Sequence, residues 1–331
     1  MIFDGIDFFN VCELERRDGM PGWILHRFPK ALREQLPEDV CDLCRSVELR
    51  FVLEPQTLHG TVYVCARSCD GEAVVFYGDY QQAQVIPLPK GVITPVDVRF
   101  PEALAKLPEG RFSSRLCRIF LNSRTQVSYV GREWLHIRPP MREETPEKLL
   151  VGYGSSITHG GLARSNCNCY LQLAARRLRM DALNYGLSGS CTAEACVADY
   201  IAQDPRGDAF LVELGANMLG RYTADEYEAR AAYTLERIAG AHADKPVLAV
   251  ALYPSSYEGE DANAYAQRLA QVVKRIDRPN LHLLEGRELL PDITGLSTDG
   301  LHPSDWGHMV MGERLAARLA GLTAAKGEAQ P

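Results

Sequence analysis

The sequence predicts an α/β domain built on a parallel sheet, preceded by an antiparallel β-sandwich domain. Apolar residues alternate with a period of two from about residue 46 to residue 137, in short runs bounded by Gly, Pro, Asp or Asn. After about residue 147 the pattern changes to strand–loop–helix alternation. The first pattern is typical of half-buried antiparallel strands, and the second of a parallel sheet covered by helices on both faces.

The first half contains one helical segment and a series of strands. Residues 28–44, "FPKALREQLPEDVCDLC", have helical spacing. The strand-like runs that follow are "VELRFVLEP", "GTVYVCARS", "AVVFYGDY", "VDVRF", "LCRIFLN" and "VSYVGREWLHI". We therefore place a β-sandwich domain at residues 1–140, whose role as a carbohydrate-binding module, a lid or an oligomer contact stays open.

The second half predicts five parallel strands in a domain at residues 147–322. A charged, proline-rich stretch from Arg138 to Lys148 predicts the linker before it. The predicted strands are "KLLVGYG", "DALNYG", "AFLVELG", "PVLAVALYP" and "LHLLEG", and helical segments alternate with them. In such a sheet, ligands bind at the carboxyl ends of the strands.

Composition excludes several classes of protein. The net charge is −7 and no basic run is interleaved with aromatic residues, so we expect no nucleic-acid partner. No run approaches the roughly 18 apolar residues of a membrane span, and the first residues lack the pattern of a signal peptide. We therefore expect a cytoplasmic protein without a membrane partner, and leave open whether it forms a homo-oligomer.

The ten cysteines raise the alternative of a zinc site. Cys41 with Cys44, and Cys65 with Cys69, loosely resemble two halves of such a site. The second pair, however, lies in or just after a predicted strand and has a three-residue gap. We therefore predict free, mostly buried thiols, no metal site and no cofactor.

The stretch "VGYGSSITHGG", from Val151 to Gly161, follows the first predicted parallel strand. It lacks the lysine of a phosphate-binding P-loop, and Ile157 stands where a dinucleotide-binding loop needs its third glycine. A nucleophilic serine is the better interpretation. Such a serine needs a base, an acid that orients the base, and hydrogen-bond donors for the oxyanion.

Loops after other strands supply candidates for each of these roles. "STDGLHPSDWGH" places Asp299 three residues before His302, a spacing that can bring a carboxylate onto an imidazole. Gly189 in "NYGLSGS" could offer its backbone amide, and Asn217 in "ELGANM" its side-chain amide. All of these loops are predicted at the carboxyl edge of the sheet.

In this combination the chain resembles the SGNH hydrolases, also called GDSL esterases, from about Leu149 to Leu319. The blocks "GSSIT", "NYGLSG", "GAN" and "DGLHPSDWGH" carry the resemblance. It implies a flavodoxin-like three-layer fold, Ser156 as nucleophile, and Asp299 and His302 as catalytic acid and base. It also implies an oxyanion hole formed by Ser156, Gly189 and Asn217.

Two positions depart from the family pattern. Ser155 replaces the usual aspartate, and Met218 replaces the aspartate that often follows the asparagine. The chain looks more like a subgroup with an N-terminal β-sandwich, which includes enzymes that remove acetyl groups from sugars. An α/β-hydrolase is less favoured, because Thr158 stands where its G-x-S-x-G motif has the last glycine.

The function predicted from the sequence is a serine esterase acting through an acyl-enzyme on Ser156. We expect short acyl groups, acetyl above all, on a carbohydrate. Substrate contacts are predicted for Met218, Tyr253 and Trp306, which lie on or beside the same loops. The alternatives are an acyltransferase with the same triad, and a non-catalytic sugar- or lipid-binding protein.

Overall fold

The computed structural model describes residues 1–41, 43–57, 59–122, 124–257 and 259–328. The chain separates into two compact units, Met1–Glu147 and Lys148–Pro331. The strands of the first unit are β1 Ile2–Phe3, β2 Ile6–Phe9, β3 Glu13–Glu15, β4 Trp23–His26, β5 Val47–Leu53, β6 Gly60–Ala66, β7 Gly71–Tyr77, β8 Tyr80–Leu88, β9 Ile93–Val98, β10 Leu116–Leu121, β11 Val127–Glu133 and β12 Ile137–Arg138.

These strands form two antiparallel sheets that share one hydrophobic core. The first has the order β1-β2-β5-β10-β7-β8, with β12 also paired to β5, and the second has the order β3-β4-β11-β6-β9. The core takes buried side chains from both sheets, among them Leu49 and Phe51 of β5 and Val62 and Val64 of β6. The predicted antiparallel β-sandwich is confirmed.

Several elements of this unit differ from the sequence prediction. Strands β1 to β4 were not predicted, because segments of two to four residues are too short to show a period. Strand β8 was largely missed because it pairs only with β7 and most of its residues keep contact with solvent. The segment 28–44 contains two single-turn helices, α1 Lys30–Arg33 and α2 Glu38–Cys41, with Pro37 between them.

A buried ion cluster links three neighbouring strands of the first sheet. Glu48 accepts hydrogen bonds from Arg50 Nε at 2.8 Å and from Arg118 Nε and Nη2 at 2.7 Å. The Arg50 guanidinium also lies over the Phe9 ring, and that of Arg118 over the Phe112 ring. Burial by itself raises the pKa of Glu48, but the charges of the two arginines hold it well below its usual range.

The cysteines of the zinc alternative lie in ordinary packing positions. Cys41, Cys44 and Cys65 are buried and Cys69 is exposed, and none of these four is in a disulfide. The Cys44 sulfur accepts a hydrogen bond from the backbone amide of Val127 in the sheet. Among the described residues, no group of three or more His, Cys, Asp or Glu side chains is placed to hold a metal ion.

The second unit is a parallel sheet between two layers of helices. Its strands are β13 Leu149–Tyr153, β14 Asp181–Asn184, β15 Ala209–Glu213, β16 Val247–Val250 and β17 Leu281–Leu284. Its helices are α3 Tyr170–Arg177, α4 Ala195–Gln203, α5 Ala224–Ala241, α6 Glu260–Ile276, α7 Gly286–Leu289 and α8 Asp305–Glu328. All strand pairs are parallel, in the order β14-β13-β15-β16-β17.

This order confirms the flavodoxin-like prediction. Helix α3 packs against α8, whereas α5 packs against both α4 and α6. Because the chain steps from β13 to β14 on one side and to β15 on the other, the loops after these strands meet at the carboxyl edge. Within the described residues, no helix combines the length and the apolar character that crossing a membrane requires.

We predict that Glu48→Gln destabilises the first unit by about 3–5 kcal/mol, because it removes the negative charge that faces two buried guanidinium groups. Urea unfolding of the wild type and the variant measures the difference. Since the pKa of Glu48 is lowered by folding, its contribution is intact above the ordinary carboxyl pKa of about 4.3 and is lost as the pH falls.

The control for this variant is Glu313→Gln. Glu313 pairs with Arg177 at 3.3 Å, but both side chains are about two-thirds exposed, at 65% and 68%. Exposed pairs contribute little to stability, so this variant should unfold close to the wild type. Equal unfolding free energies for wild type and Glu48→Gln at neutral pH would contradict the role given to the cluster.

Candidate active site

Ser156 lies in the turn that follows β13. Its hydroxyl is 2.7 Å from His302 Nε2, across 146 positions of sequence. The turn is closed by backbone bonds from His159 to the Ser155 carbonyl and from Gly161 to the Ser156 carbonyl. The structure thus holds the serine hydroxyl within hydrogen-bond distance of a potential general base.

The opposite ring nitrogen of His302 bonds to Asp299. His302 Nδ1 lies 2.7 Å from Asp299 Oδ2, and Asp299 Oδ1 accepts the backbone amides of Leu301 and His302 and the hydroxyl of Ser297. With Nδ1 donating to the carboxylate, Nε2 is left to accept the serine proton. The structure therefore brings Ser156, His302 and Asp299 into one hydrogen-bonded chain.

These bonds also keep Asp299 ionised. Its partial burial acts to raise the pKa, but the hydrogen bonds from His302 and Ser297 and from the backbone amides hold the pKa of Asp299 well below its usual range. An ionised carboxylate can orient the imidazole and stabilise the imidazolium that forms when the serine loses its proton.

The acid–histidine loop is tied to its surroundings by backbone bonds. Ser297 N donates to the His302 carbonyl at 2.8 Å, and Ser256 N, in the loop after β16, donates to the Gly300 carbonyl at 2.7 Å. Gly300 has a φ of +68°, in the left-handed region that favours glycine. This loop is thus held in the shape that the i,i+3 contact requires.

The two predicted oxyanion donors lie on loops that bond to each other. Asn217 Oδ1 accepts the backbone amide of Cys191 at 3.1 Å. This bond fixes the side-chain amide with its oxygen occupied and leaves its NH₂ group for another acceptor. Gly189 lies two residues before Cys191, is exposed, and has a φ of +77°. The bond joins the loops after β14 and β15.

The predicted substrate contacts have different surroundings. Met218 is fully buried, and Tyr253 is 6% exposed with its hydroxyl donating to Tyr170 at 3.1 Å, so neither presents an open surface. Both residues lie only a few positions after the end of a buried strand, and their side chains are part of the protein interior. Trp306, at the start of α8, is 59% exposed and remains available to a ligand. Two further histidines near these motifs, His159 and His308, are both fully buried.

Gly161 is a site residue that sequence reasoning missed. A Cβ atom built on it would lie 2.7 Å from His302 Cδ2 and 2.9 Å from the Ser156 carbonyl oxygen. A side chain there would push the imidazole away from the serine. Only the second glycine of "HGG" hinted at this, and a pair of glycines in a loop is too common to indicate such a contact.

Residues 153–310 match the model of the GDSL-like lipase/acylhydrolase family. The second unit is a GDSL-like acylhydrolase domain. The match includes Ser156, Asp299 and His302, and it confirms the family resemblance and the prediction of an esterase-type hydrolase. No curated protein matches the chain.

Several solved structures resemble this chain over most of its length. A salicylyl-acyltransferase, SsfX3, from a tetracycline biosynthetic pathway is 18% identical, with a TM-score of 0.79 over 98% of this chain and 95% of the other. A family two carbohydrate esterase from Cellvibrio japonicus is 12% identical, with a TM-score of 0.65 over 97% and 96%. One from Clostridium thermocellum, solved with cellohexaose, is 15% identical, with a TM-score of 0.60 over 84% and 92%. At these identities the likeness shows a shared fold.

We predict that Asp299→Asn lowers kcat of the GDSL domain by about 10⁴-fold. The three donors at Oδ1 would hold the amide oxygen, so the NH₂ group would face His302 Nδ1 and favour the tautomer with its proton on Nε2. Hydrolysis of p-nitrophenyl acetate measures the loss. Ser297→Ala is the control, since it removes one bond to Asp299 and leaves the bond to His302. A loss in Asp299→Asn no larger than in Ser297→Ala would argue against a triad.

Proposed function

We propose that the protein is a serine esterase that removes short acyl groups, acetyl above all, from a carbohydrate through an acyl-enzyme on Ser156. The observation that carries this proposal is the hydrogen-bonded chain from Ser156 through His302 to Asp299, with both bonds at 2.7 Å. A binding protein has no need of this chain, which favours catalysis over the non-catalytic alternative.

The reaction takes two steps. Ser156 Oγ attacks the ester carbonyl while His302 Nε2 takes its proton, and the amide of Ser156, the amide of Gly189 and the Asn217 NH₂ group stabilise the oxyanion. His302 then gives the proton to the departing alcohol. In the second step His302 activates water, which releases the acid from Ser156. These residues perform both steps without a metal or a cofactor.

The choice of a carbohydrate ester rests on two supports. Among similar solved structures are carbohydrate esterases, one of them holding cellohexaose. Trp306 lies one residue after Asp305, whose carboxylate accepts the backbone amide of Arg164 near the nucleophile turn. An exposed indole so close to the catalytic loop suits stacking against a sugar ring.

The test is hydrolysis of p-nitrophenyl acetate, butyrate and octanoate by wild type and Ser156→Ala. We expect fastest turnover of the acetate, and a loss on the order of 10⁴-fold or more in the variant, since the acyl acceptor is gone. Thr192→Ala, in the loop before α4, is a control substitution outside the chain of three residues. Wild-type activity in Ser156→Ala would rule out the acyl-enzyme.

An acyltransferase is the second candidate, favoured by the likeness to a salicylyl-acyltransferase over 98% of this chain. The two activities share the acyl-enzyme and differ in whether water or an alcohol reaches it. Adding methanol or glucose to the p-nitrophenyl acetate reaction separates them. For a hydrolase we expect acetate as the main product at all acceptor concentrations. Formation of an acetylated acceptor in place of acetate would identify a transferase.

A further inference from the structure

Glu213 is a buried carboxylate next to the nucleophile turn that the mechanism above does not use. It ends β15 and is 1% exposed. The four residues before it in the strand, Ala209 to Val212, are apolar, as expected for a parallel strand buried on both faces. A charged residue in such a strand costs free energy unless it is compensated, so its contacts indicate its purpose.

One oxygen of this carboxylate accepts three hydrogen bonds from the turn. Glu213 Oε2 lies 2.7 Å from the Ser155 amide nitrogen, 2.8 Å from the Ser155 hydroxyl and 2.9 Å from the Thr158 hydroxyl. Ser155 Oγ in turn accepts the amide of Ile157 at 3.1 Å. These donors flank Ser156 on both sides, so the segment that carries the nucleophile is anchored to a single atom of the neighbouring strand.

The close fit at Gly154 shows how near the carboxylate lies to the turn. A Cβ atom built there would be 2.5 Å from Glu213 Oε2 and 2.5 Å from Thr158 Oγ1. Only glycine can occupy this position without displacing the carboxylate or the threonine. The turn is therefore packed against the carboxylate as well as bonded to it.

Two tyrosines extend the network on the far side of Thr158. The Tyr170 hydroxyl lies 2.7 Å from Thr158 Oγ1, and the Tyr253 hydroxyl donates to Tyr170 at 3.1 Å. Because Thr158 has one hydroxyl hydrogen and gives it to Glu213, it accepts from Tyr170. Every donor in this buried row points towards the carboxylate, and such aligned bonds strengthen one another.

The donors that bond to Glu213 are neutral, so no ion pair with them offsets the cost of burying its charge. In the described part of the chain, Glu213 accepts hydrogen bonds from neutral hydroxyl and amide groups, and its Oε1 atom has no hydrogen-bond partner there. Burial raises the pKa of Glu213, against the lowering effect of its bonds to Ser155 and Thr158. Because burying this carboxylate costs free energy, its presence is better explained by the residues it positions than by a contribution to the stability of the fold.

We propose that Glu213 is the positioning residue for the nucleophile: its carboxylate fixes the segment from Gly154 to Thr158 and so holds the Ser156 hydroxyl on His302. The proposal rests on the proposed function, since it presumes that Ser156 is the nucleophile. It also gives a physical account of Ser155, which stands where the family has an aspartate. Here the carboxylate comes from the adjacent strand, and the serine hydroxyl donates to it.

The test is covalent labelling of Ser156 by a p-nitrophenyl alkylphosphonate. Ser156 Oγ forms a bond to phosphorus, the serine proton passes to His302, and p-nitrophenolate leaves. The released nitrophenolate gives two quantities, the rate constant of labelling and the labelled fraction. The rate constant reports how the nucleophile is held in folded molecules, whereas the fraction reports how many molecules are folded.

We expect Glu213→Ala to lower the labelling rate constant by about 10²-fold, the loss that a misplacement of about 1 Å can cause. Glu213→Gln should lose less, because its amide oxygen can accept the same bonds. If Glu213→Ala does not fold, Thr158→Val carries the test, since it removes one of the three bonds with little change in volume. Its rate constant should fall while its labelled fraction stays near that of the wild type.

Asp204→Asn is the matched control. Asp204 directly follows α4 and accepts bonds from Tyr185 and Arg206. Its replacement should lower thermal stability and leave the rate constant unchanged. Unchanged rate constants in folded Glu213→Ala or Thr158→Val, with only the labelled fraction reduced, would overturn the positioning role and leave the esterase standing. Absence of labelling at Ser156 in the wild type would overturn both.

Discussion

The catalytic unit depends on one constraint: a serine hydroxyl becomes a nucleophile only when a base is held within hydrogen-bond distance of it. Here that contact joins the loop after the first parallel strand to the loop before the last helix. A parallel sheet satisfies the constraint because it brings the carboxyl ends of all its strands to one edge. The order β14-β13-β15-β16-β17 places the strand of Ser156 between the strands whose loops carry Gly189 and Asn217.

The same constraint explains why three positions around the site are occupied by glycine. Gly154 leaves room for the Glu213 carboxylate, and Gly161 leaves room for the His302 ring. Gly300 supplies the left-handed backbone between Asp299 and His302. Each glycine allows a close approach or a turn that a side chain would block. The geometry of the site is thus set as much by absent side chains as by reactive ones.

The two buried glutamates show two ways of keeping a carboxylate inside a protein. Glu48 lies between two guanidinium groups, and their charges lower its pKa. Glu213 has hydroxyl and amide donors instead, and burial raises its pKa. The first arrangement locks strands of a sheet together, and we ascribe to the second the positioning of the nucleophile turn. Both carboxylates accept directional hydrogen bonds, but only those of Glu48 are reinforced by the attraction of opposite charges.

The sequence by itself determined the fold class, the parallel strands and the GDSL family, because hydrophobic periods and local motifs are properties of short segments. It also indicated Ser156, Asp299 and His302 as a set, since a serine nucleophile demands partners of those types. Only the tertiary structure revealed Gly161 and Glu213, and only it placed Met218 and Tyr253 in the interior. A contact between residues on different strands leaves no trace in local pattern, because it depends on how the strands pack.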